Sequence, residues 1–352
     1  MSAAIRRILS IGAFAVLPAA VIVGMFVVAV ESGPIALDFH QELYPQAKAL
    51  LAGRNPYPGA IWPPAAAAVA MPFTIAPPAV ADVLVGIVGL TCVALALWIV
   101  GVRDARVYGV TGLWPQVVAD IRIAHLTPLL CLLAALAWRL RERAAGAGLA
   151  TGLAAAIKLF LWPIGVWLLA TRHVRAAAVA AMTVAASLLL LLPFTHLDEY
   201  AETLLRVGRE FDGHSYTPYA LATRLGLNDV VARVLGSGMG ALLLVFTWRR
   251  RSFALAMAAA LALSPVVWYD YFALAVVPLA IARPTLSLAW FLPLVTWGLP
   301  SSAIAASPWD TALVLAVFAV VFWIAVDGRA SVTTTGAHTS ASAPVGEVGL
   351  PR

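Results

Sequence analysis

Two carboxylates, Asp38 and Glu42, stand four residues apart in the polar segment Leu37–Pro64. On a helix this spacing places both side chains on one face. Partial burial at a membrane surface raises the pKa of a carboxylate toward the working pH of a general base. Asp38 is therefore a candidate base. The alternative, compatible with the first, is that Asp38 is the N-cap of a short helix that runs to Leu51 and ends at Gly53.

Lys158 is the second candidate, because it stands between two apolar runs. A cation in such a place is costly unless it is paired or hydrated, which makes it a functional candidate. It is suited to hold the phosphate of a lipid-linked donor. The alternatives are a side chain that reaches back to the interface, or an ion pair with Asp120 or Asp270. Asp120, Arg122 and His125 form a polar cluster nearby in sequence, which is either part of a phosphate site or the tip of a polar hairpin.

Two later segments carry further candidates. His214 lies in the large polar loop from residue 195 to 229, which is long enough to act as a lid or an acceptor platform. Trp268 and Asp270 lie together among aromatic residues, which indicates either a sugar-binding surface or the aromatic belt of a membrane protein. We predict no metal site and no cofactor, because Asp38 and Glu42 alone are too few ligands and no nucleotide-binding loop is present.

The elements that must position these residues are membrane helices. Of the 352 residues, 62% are hydrophobic and only 11% are charged, and the mean hydropathy is +0.92. This composition excludes a water-soluble domain and predicts an all-α polytopic membrane protein with about 10–12 spans, since one span needs about 20 apolar residues. The net charge of +6 comes from arginines at helix ends, which is typical of topology signals and not of nucleic-acid binding.

The apolar runs predict twelve spans, and the piece from residue 62 to 76 is predicted to lie at the interface. Most arginines then fall on the side of the N-terminus, which places both termini in the cytoplasm and the Asp38 loop outside. We expect one membrane domain over residues 1–330, and a disordered cytoplasmic tail over residues 331–352. The predicted spans are 8–30, 79–102, 107–121, 124–138, 146–157, 159–171, 174–194, 231–248, 253–266, 269–283, 286–301 and 308–326.

Three motifs resemble a known family, the bacterial polyprenol-phosphate-mannose-dependent mannosyltransferases of the GT-C superfamily and related integral membrane proteins. The first motif is an early Asp followed by Tyr, an Ala-Leu-Leu-x-Gly segment, Pro-Tyr and an aromatic-Pro-Pro. The second is a Gly-x-x-x-Ala-x-x-Lys segment, and the third is a Ser-Pro followed by Trp. In this chain they are Asp38, Tyr44, Ala49–Gly53, Pro56-Tyr57, Trp62–Pro64, Gly152–Lys158, and Ser264-Pro265 with Trp268.

The resemblance implies a GT-C-like architecture with juxtamembrane helices in the first outer loop, and an inverting glycosyltransferase of the bacterial inner membrane. Its active site would face outward, with Asp38 as base. Lys158, Arg122 and His125 would bind the donor phosphate, and Glu42, Tyr44, Tyr57, His214, Trp268 and Asp270 the sugar or acceptor. The implied partners are a polyprenyl-phosphate sugar, a lipid or glycan acceptor and membrane lipids. The competing hypotheses are a transporter or flippase, which predicts inverted repeats, and a noncatalytic family member.

Overall fold

A computed structural model describes the backbone of residues 3–32, 36, 38–299 and 307–337. These residues form helices and no strands, which confirms the all-α prediction. The α-helices are α1 (Ala3–Ile11), α2 (Leu17–Ser32), α3 (Tyr44–Leu51), α4 (Pro64–Ala70), α5 (Pro78–Ile99), α6 (Ala105–Gly112), α7 (Pro115–Ile123), α8 (Thr127–Arg139), α9 (Ala144–Ile157), α10 (Pro163–Ala170), α11 (Val174–Leu191), α12 (Leu197–Phe211), α13 (Pro218–Arg224), α14 (Asp229–Arg250), α15 (Phe253–Leu263), α16 (Val276–Ala282) and α17 (Pro308–Ala337).

Short 3₁₀ and π-helical segments join or extend these helices. The π-helical ones are Gly12–Val16 and Phe39–Leu43, and the 3₁₀ ones are Met71–Ile75, Leu159–Leu161, Leu192–Phe194, Asp212–His214, Tyr269–Ala275 and Leu288–Gly298. The segment from residue 3 to 32 is therefore helical throughout, and it contains the predicted first span. At the other end, α17 continues past residue 331, where we predicted the tail to begin. Residues 338–352 lie outside the described part of the chain.

Five helices of the described chain are long and apolar enough to cross a membrane, or six if α7 and α8, bent by 119°, form one broken span. The protein is thus a multi-pass membrane protein. The prediction of 10–12 full spans counted shorter elements as well, because α9, α10 and α15 are apolar but have only 8 to 14 residues. Such short helices cannot reach across a hydrocarbon core of about 30 Å by themselves. They pack inside the bundle, where much of their surface is buried.

The backbone is irregular at three places near the candidate residues. The predicted span 107–121 is wrong as a single helix, because α6 ends at Gly112 and Pro115 starts α7 as its first residue. Helix α9 ends at Ile157, since Lys158 has extended backbone angles, φ −143° and ψ 105°. The predicted span 269–283 begins with the 3₁₀ segment Tyr269–Ala275. Irregular backbone at these depths is tolerated where it lines a polar site within the protein.

Helices α9 and α11 approach closely through two glycines of α9. A methyl group added at Gly152 would lie 2.6 Å from the carbonyl oxygen of Ala180, and one added at Gly148 would lie 2.6 Å from that of Ala176. This small-xxx-small spacing lets two membrane helices touch along their backbones. The contact matters for the site because α9 ends directly before Lys158.

We expect Gly152→Ala to destabilise the protein by about 1–3 kcal/mol, because the added methyl forces α9 away from α11. The matched control is Gly165→Ala in α10, where the methyl meets no atom within 4 Å. Thermal unfolding of the purified proteins in detergent checks the prediction. A Gly152→Ala midpoint equal to that of Gly165→Ala would show that the two helices do not pack as described.

Candidate active site

Asp38 lies at the start of the helical segment that leads into α3. The amide of Ala36 donates a hydrogen bond of 3.0 Å to the carbonyl of Arg122, which fixes this segment to the end of α7. Asp38 itself has helical backbone angles and its side chain caps no amide, so the N-cap alternative is wrong. Its side chain keeps 34% of its surface exposed. Partial burial raises the pKa of Asp38 above 3.8, and the charge of Lys158 opposes this rise.

Glu42 lies one turn further along the same helical segment and is half-buried. Its pKa is raised, chiefly by burial and also by the negative charge of Asp38. The two carboxylates therefore lie close enough to influence each other, as their spacing predicts. Because two adjacent negative charges are unfavourable, a proton on one of them is retained to higher pH than in a free carboxylate.

His125 connects Asp38 to a second, buried carboxylate. Ala124 has left-handed backbone angles, φ 52°, and this turn reverses the chain between α7 and α8. The buried imidazole has its Nε2 3.9 Å from Oδ2 of Asp38 and its Nδ1 3.2 Å from Oδ2 of Asp270. Oγ1 of Thr127 lies 3.0 Å from the same Nδ1 and donates to Asp270 over 3.2 Å. Asp120, predicted here as part of the hairpin, is fully buried in α7 beside this pair.

Lys158 is held by aromatic side chains. Its Nζ donates a hydrogen bond of 2.7 Å to the hydroxyl of Tyr271 and lies 3.6 Å from the centre of the Trp62 ring. No carboxylate oxygen of the described residues lies within ion-pairing distance of Nζ, so the structure does not show the alternative ion pair with Asp120 or Asp270. A cation against two rings keeps its charge with few water contacts. The ammonium is therefore held in place. An anion can still replace the Tyr271 hydroxyl as its hydrogen-bond partner.

Trp62 is positioned by two buried polar side chains of the segment 37–64. Nε2 of Gln46 donates a bond of 2.8 Å to the Trp62 carbonyl, and the Tyr57 hydroxyl donates a bond of 2.6 Å to the same oxygen. Tyr57 is buried, and its hydroxyl is used within the protein. Tyr44 is also buried and donates to the Ala76 carbonyl over 3.4 Å. These contacts assign both tyrosines to the support of the site, whereas we predicted that they contact the sugar.

The loop from residue 195 to 229 covers part of the polar segment 37–64. Helix α12 contacts the turn 55–58, where Asn55 donates a bond of 2.7 Å to Oε2 of Glu199 and the rings of Tyr57 and Tyr200 lie 5.1 Å apart. Trp268 packs against Phe211 at the end of α12, with ring centres 5.3 Å apart. Among the contacts of the described residues, Trp268 thus packs against α12 and not against Asp38. The loop predicted as a lid, residues 195–229, contains α12 and α13, and α12 docks on the turn 55–58.

Two further candidates, His214 and Arg122, have different surroundings. His214 is exposed, and its Nδ1 lies 3.2 Å from Nη2 of Arg224. Arg122 takes part through its backbone carbonyl, which receives the bond from Ala36. The sequence analysis missed Thr127, Tyr271 and Gln46 as parts of the site. Thr127 and Tyr271 border apolar runs, and Gln46 lies in the polar segment 37–64, so no spacing or charge distinguishes them in the sequence.

A family model, that of glycosyltransferase family 87, matches residues 60–269 of the chain, which is more than half of its length. The chain belongs to glycosyltransferase family 87. No curated protein and no solved structure matches it. The matched stretch of the family 87 protein contains Trp62, Asp120, His125 and Lys158, while Asp38 and Asp270 lie just outside it.

Membership of family 87 makes this protein a membrane glycosyltransferase, which acts on a sugar donor and an acceptor. It does not favour the transporter hypothesis. The resemblance noted from the motifs is thereby supported at the level of the glycosyltransferase family. The buried polar group around His125 and Lys158 is built from segments that lie far apart in the sequence of this family 87 chain.

Proposed function

We propose that this glycosyltransferase transfers a sugar from a polyprenyl phosphate to a hydroxyl group of a lipid or glycan, at the outer face of the bacterial inner membrane. Mannose is the sugar that the resemblance implies. The observation that carries the proposal is that His125 brings two groups together: its Nε2 lies 3.9 Å from the partly exposed carboxylate of Asp38, and its ring packs against Trp62 and Tyr271, which hold the ammonium of Lys158. A base and a cation at one site are what an inverting transfer from a sugar phosphate needs.

In the proposed reaction, Asp38 accepts the proton of the acceptor hydroxyl while the oxygen attacks the anomeric carbon. The new glycosidic bond forms as the bond from the anomeric carbon to the phosphate oxygen breaks. The polyprenyl phosphate leaves with the bonding electron pair, and its added negative charge is stabilised by Lys158 and by His125. A phosphate leaves without protonation, so one carboxylate is sufficient. The attack from the opposite face inverts the configuration.

Glu42 and Asp270 have different proposed roles. Glu42 lies beside Asp38 on the partly exposed side, where a carboxylate can orient acceptor hydroxyls. Asp270 is buried behind His125 and orients the imidazole through Nδ1, which leaves Nε2 directed toward Asp38. His214 lies in the covering loop 195–229 and Trp268 packs against that loop, and we propose that both side chains contact the edge of the acceptor.

An apolar cavity supports a lipid-linked donor. It has a volume of about 910 Å³ and lies between α13, α14, α15 and α17. Its wall includes Phe272, which follows the lysine-binding Tyr271 directly in the chain. In a bilayer the isoprene chain is already in hydrocarbon, so such a cavity binds it through shape and packing contacts. We propose that the first isoprene units of the donor lie there.

The proposal is tested by incubating the purified protein in detergent with radiolabelled polyprenyl-phosphate mannose and an extract of bacterial lipids. We expect labelled glycolipid whose new linkage has the anomeric configuration opposite to that of the donor. Transfer from a nucleotide sugar in the absence of polyprenyl phosphate would contradict the lipid-linked donor. Transfer of another sugar, but not of mannose, from the same lipid carrier would contradict only the choice of sugar.

The raised pKa of Asp38 predicts the pH dependence of transfer. A general base works only when ionised, so kcat/KM should fall as the pH decreases through the pKa of Asp38, with an apparent value above 3.8. The same burial makes ionised Asp38 unfavourable for the fold. This cost is absent below the ordinary pKa of 3.8, grows as the pH rises, and is complete above the raised pKa.

A pH series of kcat/KM, with thermal unfolding measured in the same buffers, checks both expectations. Compared with Asp38→Asn, the wild-type protein should lose stability as the pH rises through the acid limb of the rate profile. A rate that stays constant down to pH values below 3.8 would show that Asp38 is not the group that must be ionised.

A further inference from the structure

Three buried side chains of the kinds that bind metal ions converge behind Asp38. Asp120 comes from α7, His125 from the turn after it, and Asp270 from the 3₁₀ segment 269–275. One ligand atom from each lies within 4.8 Å of the ligand atoms of the other two. All three residues are buried, and Asp120 has no exposed surface. Two carboxylates and one imidazole from separate elements thus meet where the solvent cannot stabilise their charge.

The hydrogen-bond donors described at this place are too few for its acceptors. Neither carboxylate oxygen of Asp120 has a hydrogen-bond partner in the structure as described. Oδ2 of Asp270 and Nδ1 of His125 lie 3.2 Å apart and share the single hydroxyl of Thr127. A proton on Nδ1 of His125 can serve Thr127 or Asp270, but with either tautomer both carboxylate oxygens of Asp120 stay without a described donor. Buried acceptors without donors are strongly unfavourable, so a cation or additional protons must be present.

Lys158 does not supply the missing cation directly. Its ammonium donates to Tyr271 and lies against Trp62, and no ion pair joins it to Asp120 or Asp270 among the described residues. A divalent ion would neutralise both buried carboxylates at once. Metal–ligand bonds of about 2.0–2.2 Å place neighbouring ligand atoms about 3 Å apart, close to the distance between Nδ1 and Asp270.

We propose that Asp120, His125 and Asp270 bind a divalent metal ion of the manganese class. A mixed set of carboxylates and one imidazole fits an ion that accepts both oxygen and nitrogen ligands. With Nδ1 on the metal, the other ring nitrogen carries a proton and points toward Asp38. The ion therefore fixes the tautomer and the orientation of the imidazole, and through it the position of the base. The site is independent of which sugar or acceptor the enzyme uses.

The experiment uses the full chain purified in detergent, treated with a chelator and returned to metal-free buffer. Mn²⁺ is the probe, and its binding is followed by electron paramagnetic resonance and by the thermal unfolding midpoint. We expect one ion per chain and a higher midpoint with Mn²⁺ than with the chelator. Asp120→Asn, which keeps the size of the side chain, should weaken Mn²⁺ binding by about 10-fold or more. Asp270→Asn should do the same.

Asp82→Asn is the matched control. Asp82 is also a buried aspartate beside a histidine, with Oδ2 3.5 Å from Nδ1 of His40, but it lies outside the cluster. Its variant should bind Mn²⁺ as the wild type does. The proposal is overturned if the wild type binds no Mn²⁺, or if Asp120→Asn and Asp270→Asn bind it as tightly as Asp82→Asn. Because neither donor nor acceptor is present, a failure of the proposed transfer reaction does not affect this result.

Discussion

Asp38→Asn should reduce sugar transfer by about 10²–10⁴-fold while the protein remains folded. The amide keeps the shape of the side chain but cannot accept the acceptor proton, so the loss should appear in kcat with little change in KM. Because the buried charge is removed, the variant should be at least as stable as the wild type at neutral pH. Transfer from labelled polyprenyl-phosphate sugar and thermal unfolding, both at matched protein concentration, are the two measurements.

Asp82→Asn is again the appropriate comparison, since it changes a buried aspartate of α5 that lies next to a histidine, His40. It should retain most of the activity. If Asp38→Asn transferred sugar at a rate within a few-fold of Asp82→Asn, Asp38 would not be the base. A fall in activity accompanied by a lower unfolding midpoint would instead assign Asp38 to the structure of the first outer loop.

Lys158→Met is the second change with a large expected effect, a loss of about 10²–10³-fold in kcat. Methionine retains the length and the apolar stem of lysine but removes the charge that stabilises the leaving phosphate. Tyr271 then loses its partner, and Trp62 keeps an apolar contact in place of the cation. Lys158→Arg should rescue little, because a planar guanidinium cannot replace a compact ammonium between the two rings.

Lys48 provides a matched control for this change, since the chain has only these two lysines. Lys48 also lies over an aromatic ring, with Nζ 4.9 Å from the centre of Tyr44, but it is exposed on α3. Lys48→Met should leave transfer nearly unchanged. Equal losses in the two variants, or full activity of Lys158→Met, would remove Lys158 from the proposed phosphate site.

The charged members of the site could be predicted from the sequence because a charge inside an apolar run is costly and therefore conspicuous. Lys158 is identified in this way, whereas Asp38 is identified by its spacing from Glu42 in a polar segment, and both lie in the polar group that the structure describes. The partners of Lys158 could not be predicted. Tyr271 lies 113 residues further along the chain, and a tyrosine at a helix end is equally typical of a membrane belt.

The shape of the backbone around the site was also beyond the sequence. The reversal between α7 and α8 depends on left-handed backbone angles at Ala124, a residue type that gives no indication of such a turn. We had treated the polar residues 120–125 as a hairpin tip or as separate phosphate ligands. The turn instead buries Asp120 and His125 and brings them to Asp270. Local propensity does not specify this arrangement, because tertiary packing supplies the energy that holds the strained residue.

The dispersal of the site along the chain has a consequence for how the protein is made. Residues 38, 125, 158 and 271 are synthesised in that order. Lys158 is therefore made before Tyr271, whose hydroxyl group accepts its hydrogen bond. Until Tyr271 arrives, a nascent chain carries an unpaired ammonium and unpaired buried carboxylates, which favour exposure of these helices to water or to a membrane chaperone. The polar site is therefore complete only when the segment that carries Tyr271 has been inserted.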